Sequence, residues 1–326
     1  MKWSRDPIPA LFPSEGDTMG EAVSKQEAFY RKKLNLVLLA AICTFMWGTA
    51  LALVKMGYTA FAIDASSVFV QIFFAGVRFF AAGVVILIFD TVRRRKVPIL
   101  PAKEMGSTVV LGLLQTGVQY SLLYVGLAHT TGTNGAICNA TSVFMTILVA
   151  PLFFRKKDPV TARKLIGCLI GLSGIVLVNI GGASAGFSFM GEGLVLLSSV
   201  CLAFAANLTK VFAKNIDPMT LMGWQFFFGG GAMLIVGLLA GERFAQVTAY
   251  GVTILVLLIL IAAVAFTIWT NLLKYNPVTE VSTYNFLTPT FGVIMSSILL
   301  DEGFPGITAV IALLLVCAGI IIANRT

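Results

Sequence analysis

Residues 127–154 read LAHTTGTNGAICNATSVFMTILVAPLFF, and residues 273–300 read LKYNPVTEVSTYNFLTPTFGVIMSSILL. Identity between them is low, but the punctuation matches: Leu127 pairs with Leu273, Thr133 with Thr279, Asn139 with Asn285 and Ser142 with Thr288. Further on, after a slip of one residue, Gly174 pairs with Gly319 and Asn179 with Asn324. Working outward, the chain divides into a polar tail at 1–33 and two repeats, 34–182 and 183–326. If each repeat crosses a bilayer five times, an odd number, the second must sit upside down relative to the first.

Composition supports the bilayer. The chain is 58% hydrophobic and 12% charged, with a mean hydropathy of +0.92. A soluble domain has too little interior to hide that much apolar surface. Apolar runs long enough to cross a hydrocarbon core of about 30 Å recur near 34–56, 67–89, 106–127, 134–154, 164–181, 191–211, 219–240, 251–273, 279–300 and 306–323. The runs are uniformly apolar rather than alternating, which predicts helices and not a barrel. The expected fold is an all-α integral membrane protein with ten transmembrane helices arranged as two inverted five-helix repeats.

The net charge of +8 has a topological origin. With ten spans and the N-terminus inside, all the Lys and Arg except Lys55, Arg78 and Arg243 fall in segments on one side. That bias places both termini in the cytoplasm and leaves no basic face for nucleic acid. Cys43, Cys138, Cys168, Cys201 and Cys317 all lie within spans without paired spacing, so they read as small buried hydrophobes. The 1–33 segment has Pro7, Pro9 and Pro13 and no apolar core, which marks a loose tail rather than a cleaved signal, with a docking helix near Glu21–Lys33 as the lesser alternative.

The C-terminal hairpin carries Leu273-Lys-Tyr-Asn-Pro277, Tyr284-Asn-Phe-Leu-Thr-Pro289, Leu299-Leu-Asp-Glu302 and Ala318-Gly-Ile-Ile. Trp47-Gly48 lies in the first span and Arg78-Phe-Phe-Ala-Ala82 in the second. In order and kind these resemble EamA-like transporters of the drug/metabolite transporter superfamily, over roughly residues 36–324. Two departures stand out: the first repeat has Val143 opposite Pro289 and Lys156 opposite Glu302. The resemblance implies efflux of a small metabolite across a bacterial-type plasma membrane.

Polar groups at mid-depth are costly in lipid, so they mark a cavity or an interhelical contact. The fourth span offers Asn139 and Ser142 on one face, and the ninth offers Asn285 and Thr288. Gln115, Gln119 and Tyr120 on the third span, Thr267 on the eighth and Trp47 on the first complete a candidate substrate-binding set. Tyr124 and Trp269 fit interface anchoring better. Arg78 is the one cation deep in a span, and is either an anchor for an anionic substrate or a structural strut. Because the family carries an Arg at this place, the strut is favoured. Pro289 and Glu280 are assigned gating or structural roles, Glu280 as an acid at a helix N-terminus. His129 reads as a loop residue. Gly167, Gly171 and Gly174 form a packing stripe, within the chain or in a homodimer.

Carboxylates are missing at mid-depth, which disfavours a multiply charged cationic substrate. A neutral, zwitterionic or anionic metabolite such as an amino acid fits better. The expected partners are therefore that small molecule and the lipid bilayer, with no cofactor, metal or nucleic acid. A membrane-embedded enzyme would need an acid–base or metal cluster, and a channel a continuous polar stripe. Neither pattern is evident, though a passive facilitator stays as the alternative reading.

Overall fold

In lipid each backbone amide must find its partner within the segment, and every regular element of the computed structural model is helical among the described residues. Those residues are 26–154, 161–181, 187–276, 281, 284–301 and 306–324. The helices are α1 (Lys33–Ala60), α2 (Val68–Arg94), α3 (Ala102–Ala128), α4 (Gly132–Asn139), α5 (Thr141–Phe154) and α6 (Ala162–Gly181). After them come α7 (Phe189–Phe212), α8 (Pro218–Leu239), α9 (Ala249–Tyr275), α10 (Leu287–Leu299) and α11 (Ile307–Asn324).

Against ten expected crossings, seven described spans are long and apolar enough to cross a membrane: α1, α2, α3, the α4–α5 pair, α7, α8 and α9. Two differences from the sequence expectation bear on the site. The segment expected as one helix at 134–154 breaks at Ala140, directly after Asn139. The segment expected at 279–300 contains a 3-10 turn, Tyr284–Phe286, ahead of α10, so Asn285 also sits off regular α-helix. Glu280 and Thr279 lie outside the described residues.

Helix ends follow the local chemistry. Asp217 caps α8, its carboxylate accepting from the amides of Met219 and Thr220, with Pro218 at the first position. Thr131 caps α4 and Thr248 caps α9 in the same way. At the end of α2, Arg95 takes a left-handed conformation with φ 53°. Mid-way along α3, Leu113–Val118 widens to a π-helix, a feature that accommodates one extra residue and recurs at functional sites.

The most extensive helix pair is α2 with α8, and the next is α6 with α11. The first is tied by charge at one end. Asp90 is fully buried and its Oδ1 accepts from Arg93 Nη2 at 2.6 Å and Arg94 Nε at 2.8 Å, while Thr220 Oγ1 donates to its Oδ2 at 2.6 Å. Both arginines also reach Asp217, at 3.2 and 3.0 Å. In the second pair, a Cβ on Gly174 would meet Ala312 O, and one on Gly319 would meet Gly167 O and the Gly171 backbone. The glycine stripe of 167–174 therefore packs within the chain.

Where it is described, the tail takes the lesser alternative, a docking helix. Residues 26–31 are helical. They dock on the end of α9, where the rings of Tyr30 and Tyr275 stack at 5.6 Å and Asn276 Nδ2 donates to Tyr30 O at 3.1 Å. Burial pushes the Tyr30 phenol up to about 12.

Candidate functional site

One cavity of about 170 Å³ lies among α1, α2, α3, α4, α5, α7, α9 and the start of α10. Its wall includes Trp47, Arg78, Gln115, Gln119, Tyr120, Asn139, Ser142, Asn285, Thr288 and Pro289. The structure thus brings together every described candidate from the sequence except Thr267. Thr267 is not on the wall, and its hydroxyl is spent on Ala263 O of its own helix at 2.7 Å.

The polar atoms of this wall divide by whether protein satisfies them. Gln115 is tied, its Oε1 accepting from Thr209 Oγ1 of α7 at 3.0 Å, so it acts as interhelical glue. One residue on, Thr116 Oγ1 donates to Gln225 Oε1 of α8 at 2.9 Å. Neighbouring side chains of the π-helical turn of α3 thus reach two different helices. By contrast, Trp47 Nε1, Gln119 Oε1, Asn139 Oδ1 and Thr288 Oγ1 are buried with no protein partner. Among the described residues only Gln71 Oε1 and Ser296 Oγ share that condition, and neither residue lines the cavity. A buried polar atom left unpaired costs about 1–3 kcal/mol, so a cluster of them around a cavity points to guests that complete the bonding.

Arg78 is 3% exposed, its Nε donating to Leu258 O of α9 at 3.1 Å and its Nη1 to the Tyr124 hydroxyl of α3. It therefore braces three helices while lining the cavity. Tyr58 OH of α1 donates to Tyr124 O at 2.8 Å and steadies the same corner. The remaining wall is aromatic. Trp47 packs against Phe266 and Trp269 with ring centroids 5.1 and 5.0 Å apart, and Tyr120 lies 4.1 Å from Phe79. The Trp47 ring is seated where α1 crosses α10: a Cβ on Gly48 would lie 2.7 Å from Gly292 N.

Sequence reasoning placed Tyr124 and Trp269 at the membrane interface. Both are instead buried, at 1% and 9% exposure, and both line the cavity. An apolar helix face gives tyrosine and tryptophan the same pattern whether it meets headgroups or a cavity, so spacing alone did not separate the two. The wall also takes in Thr146, Asn207, Thr209 and Lys210. The last three cluster near the end of α7, where Lys210 had read as a topology signal. The spacing of Asn207 and Lys210, three apart on one helical face, was the available clue. His129 lies off the wall, its Nδ1 2.9 Å from Val125 O. No metal-binding cluster of His, Cys, Asp or Glu occurs among the described residues.

The helices and this central polar cavity define a multi-pass membrane protein. The sequence profile of the EamA-like transporter family matches residues 34–180 and again 189–325. The chain belongs to that family. It is similar to an uncharacterized transporter of Synechocystis, at 26% identity over 79% of this chain and 80% of the relative. It is also similar to the uncharacterized transporter YvbV of Bacillus subtilis, at 25% identity over 90% and 92%. The uncharacterized inner membrane transporter YedA of Escherichia coli matches at 28% over 61% of this chain and 60% of its own length. A solved crystal structure superposes with a TM-score of 0.65 at 18% identity, over 88% of this chain and 95% of that one, a likeness of fold.

Proposed function

We propose that the chain is a secondary-active carrier that exports a small metabolite such as an amino acid across a bacterial plasma membrane. The central cavity is its substrate site. One observation carries the reading: four buried polar atoms that protein leaves unpaired lie on the wall of one cavity. That wall draws on both profile matches, with Trp47, Gln119 and Asn139 from the first and Asn285 and Thr288 from the second. A site shared between inverted repeats, flanked by interrupted helices, is how alternating-access carriers hold a ligand.

In this mechanism the halves are inverted five-helix repeats, 34–182 and 183–326, and both termini are cytoplasmic. The two hairpins, α3–α5 and α9–α10, gate the cavity from opposite sides. Breaks beside Asn139 and Asn285 let the polar pairs reach the ligand while the flanking helices rock. Pro289 lies in the first turn of α10 on the cavity wall, where proline removes no helix bond, and the first hairpin has Val143 in its place, so the two hairpins need not move alike. A passive facilitator using the same cavity is the alternative reading.

The test is counterflow in proteoliposomes over an amino-acid and nucleobase panel, with and without a pH gradient. The carrier reading expects saturable exchange that Asn139→Ala and Asn285→Ala each abolish or reduce by about tenfold. Non-saturating flux would establish a channel, and no flux of any compound would remove the transport reading.

A further inference from the structure

We infer that Arg78 and Tyr124 form a carboxylate seat within the cavity, so that the protein selects small metabolites carrying a carboxylate next to an apolar body. The inference rests on the reading of this cavity as the substrate site.

The first ground is unbalanced charge. A guanidinium has five N–H donors. Arg78 commits one to Leu258 O and one to the Tyr124 hydroxyl, both neutral acceptors. Among the described residues no carboxylate pairs with it, and no Asp or Glu lines the cavity. The second cation on the wall is Lys210. A cation at 3% exposure with only neutral partners is expensive in a low-dielectric interior unless an anion joins it. A pure strut would have spent its donors on protein acceptors.

The second ground is shape. Tyr124 accepts from Arg78 through its hydroxyl oxygen, which leaves the phenolic proton to donate. The planar fork of the guanidinium with that proton beside it matches the two oxygens of a carboxylate. The neighbouring wall is apolar and aromatic, with Tyr120, Leu123 and Phe266. A phosphate, carrying more charge and more oxygens, would need additional donors there.

The experiment uses L-leucine and L-leucinamide, which differ only in carboxylate against carboxamide. Binding to the full-length purified protein is read by quenching of the cavity tryptophans, and transport by counterflow. Leucine should bind at least about tenfold more tightly than leucinamide, the scale of one charge-assisted hydrogen-bonded contact. Arg78→Gln should erase that preference by weakening leucine alone, Arg78→Lys should restore part of it, and Tyr124→Phe should reduce it several-fold. The wild-type comparison needs no variant, so poor folding of Arg78→Gln does not block the test. Equal binding of acid and amide, binding of neither, or an Arg78→Gln variant that weakens both alike would overturn the seat. Selective binding without counterflow would overturn the carrier reading and leave the seat standing. Counterflow indifferent to acid or amide would do the reverse.

Discussion

Individual polar side chains separate into those that hold the protein together and those proposed to meet a ligand. Asn139 Oδ1 and Thr288 Oγ1 make no protein hydrogen bond, so Asn139→Ala and Thr288→Val should cost less than about 1 kcal/mol of stability while impairing exchange. Gln115→Ala should behave oppositely. It strands Thr209 Oγ1 and should lower stability by about 1–3 kcal/mol. A detergent melt beside counterflow on each variant checks the split. Loss of stability in Asn139→Ala as large as in Gln115→Ala would return Asn139 to the role of glue. At Asp90 the charge is buried and fully ligated. Asp90→Ala leaves Thr220 without its acceptor and the two arginines with Asp217 alone, and should destabilise by about 1–3 kcal/mol. For Tyr30 the folded pKa of about 12 exceeds the ordinary tyrosine value of 10.0. Its contribution is complete below pH 10.0 and is lost as pH rises through about 12, so docking of residues 26–31 should loosen only in that alkaline window.

Elements carry what residue patterns do not. Hydropathy located the helices because lipid leaves the backbone no alternative. It did not reveal the break after Asn139, the 3-10 turn at Asn285 or the π-helical turn of α3. The π segment has tertiary partners in Thr209 and Gln225, which no local pattern encodes. The candidate site was legible to a similar depth. Mid-depth amides and hydroxyls were visible because lipid makes them costly, whereas Tyr124, Trp269 and Lys210 each had an equally good reading at a membrane surface. The α1–α10 crossing gives an element-level prediction. A Cβ at Gly48 would fall 2.7 Å from Gly292 N and 2.8 Å from Phe291 Cβ. Gly48→Ala should therefore force the two helices apart at a cost of about 1–3 kcal/mol and reduce exchange by displacing Trp47, as a melt and a counterflow assay together would show. At the other end of α1, Lys55 Nζ donates to Leu127 O at 3.2 Å and to Thr130 O, while Thr130 Oγ1 donates to the buried Glu192. This knot joins α1, the α3–α4 turn and α7 at the end of the cavity proposed to be extracellular.

At the scale of the molecule, the central claim is that one cavity, built from both repeats, opens to each side of the membrane in turn. Membership of the EamA-like family and the all-helical fold sit comfortably with it. The direct measurement is side-specific labelling of Ser142→Cys, a wall position, in a variant whose five native cysteines are replaced, reconstituted in one orientation. The account predicts modification by a membrane-impermeant thiol reagent from either face, with a substrate shifting the balance between faces and protecting the thiol when saturating. Labelling from one face only, unchanged by every compound that the protein exchanges, would contradict it.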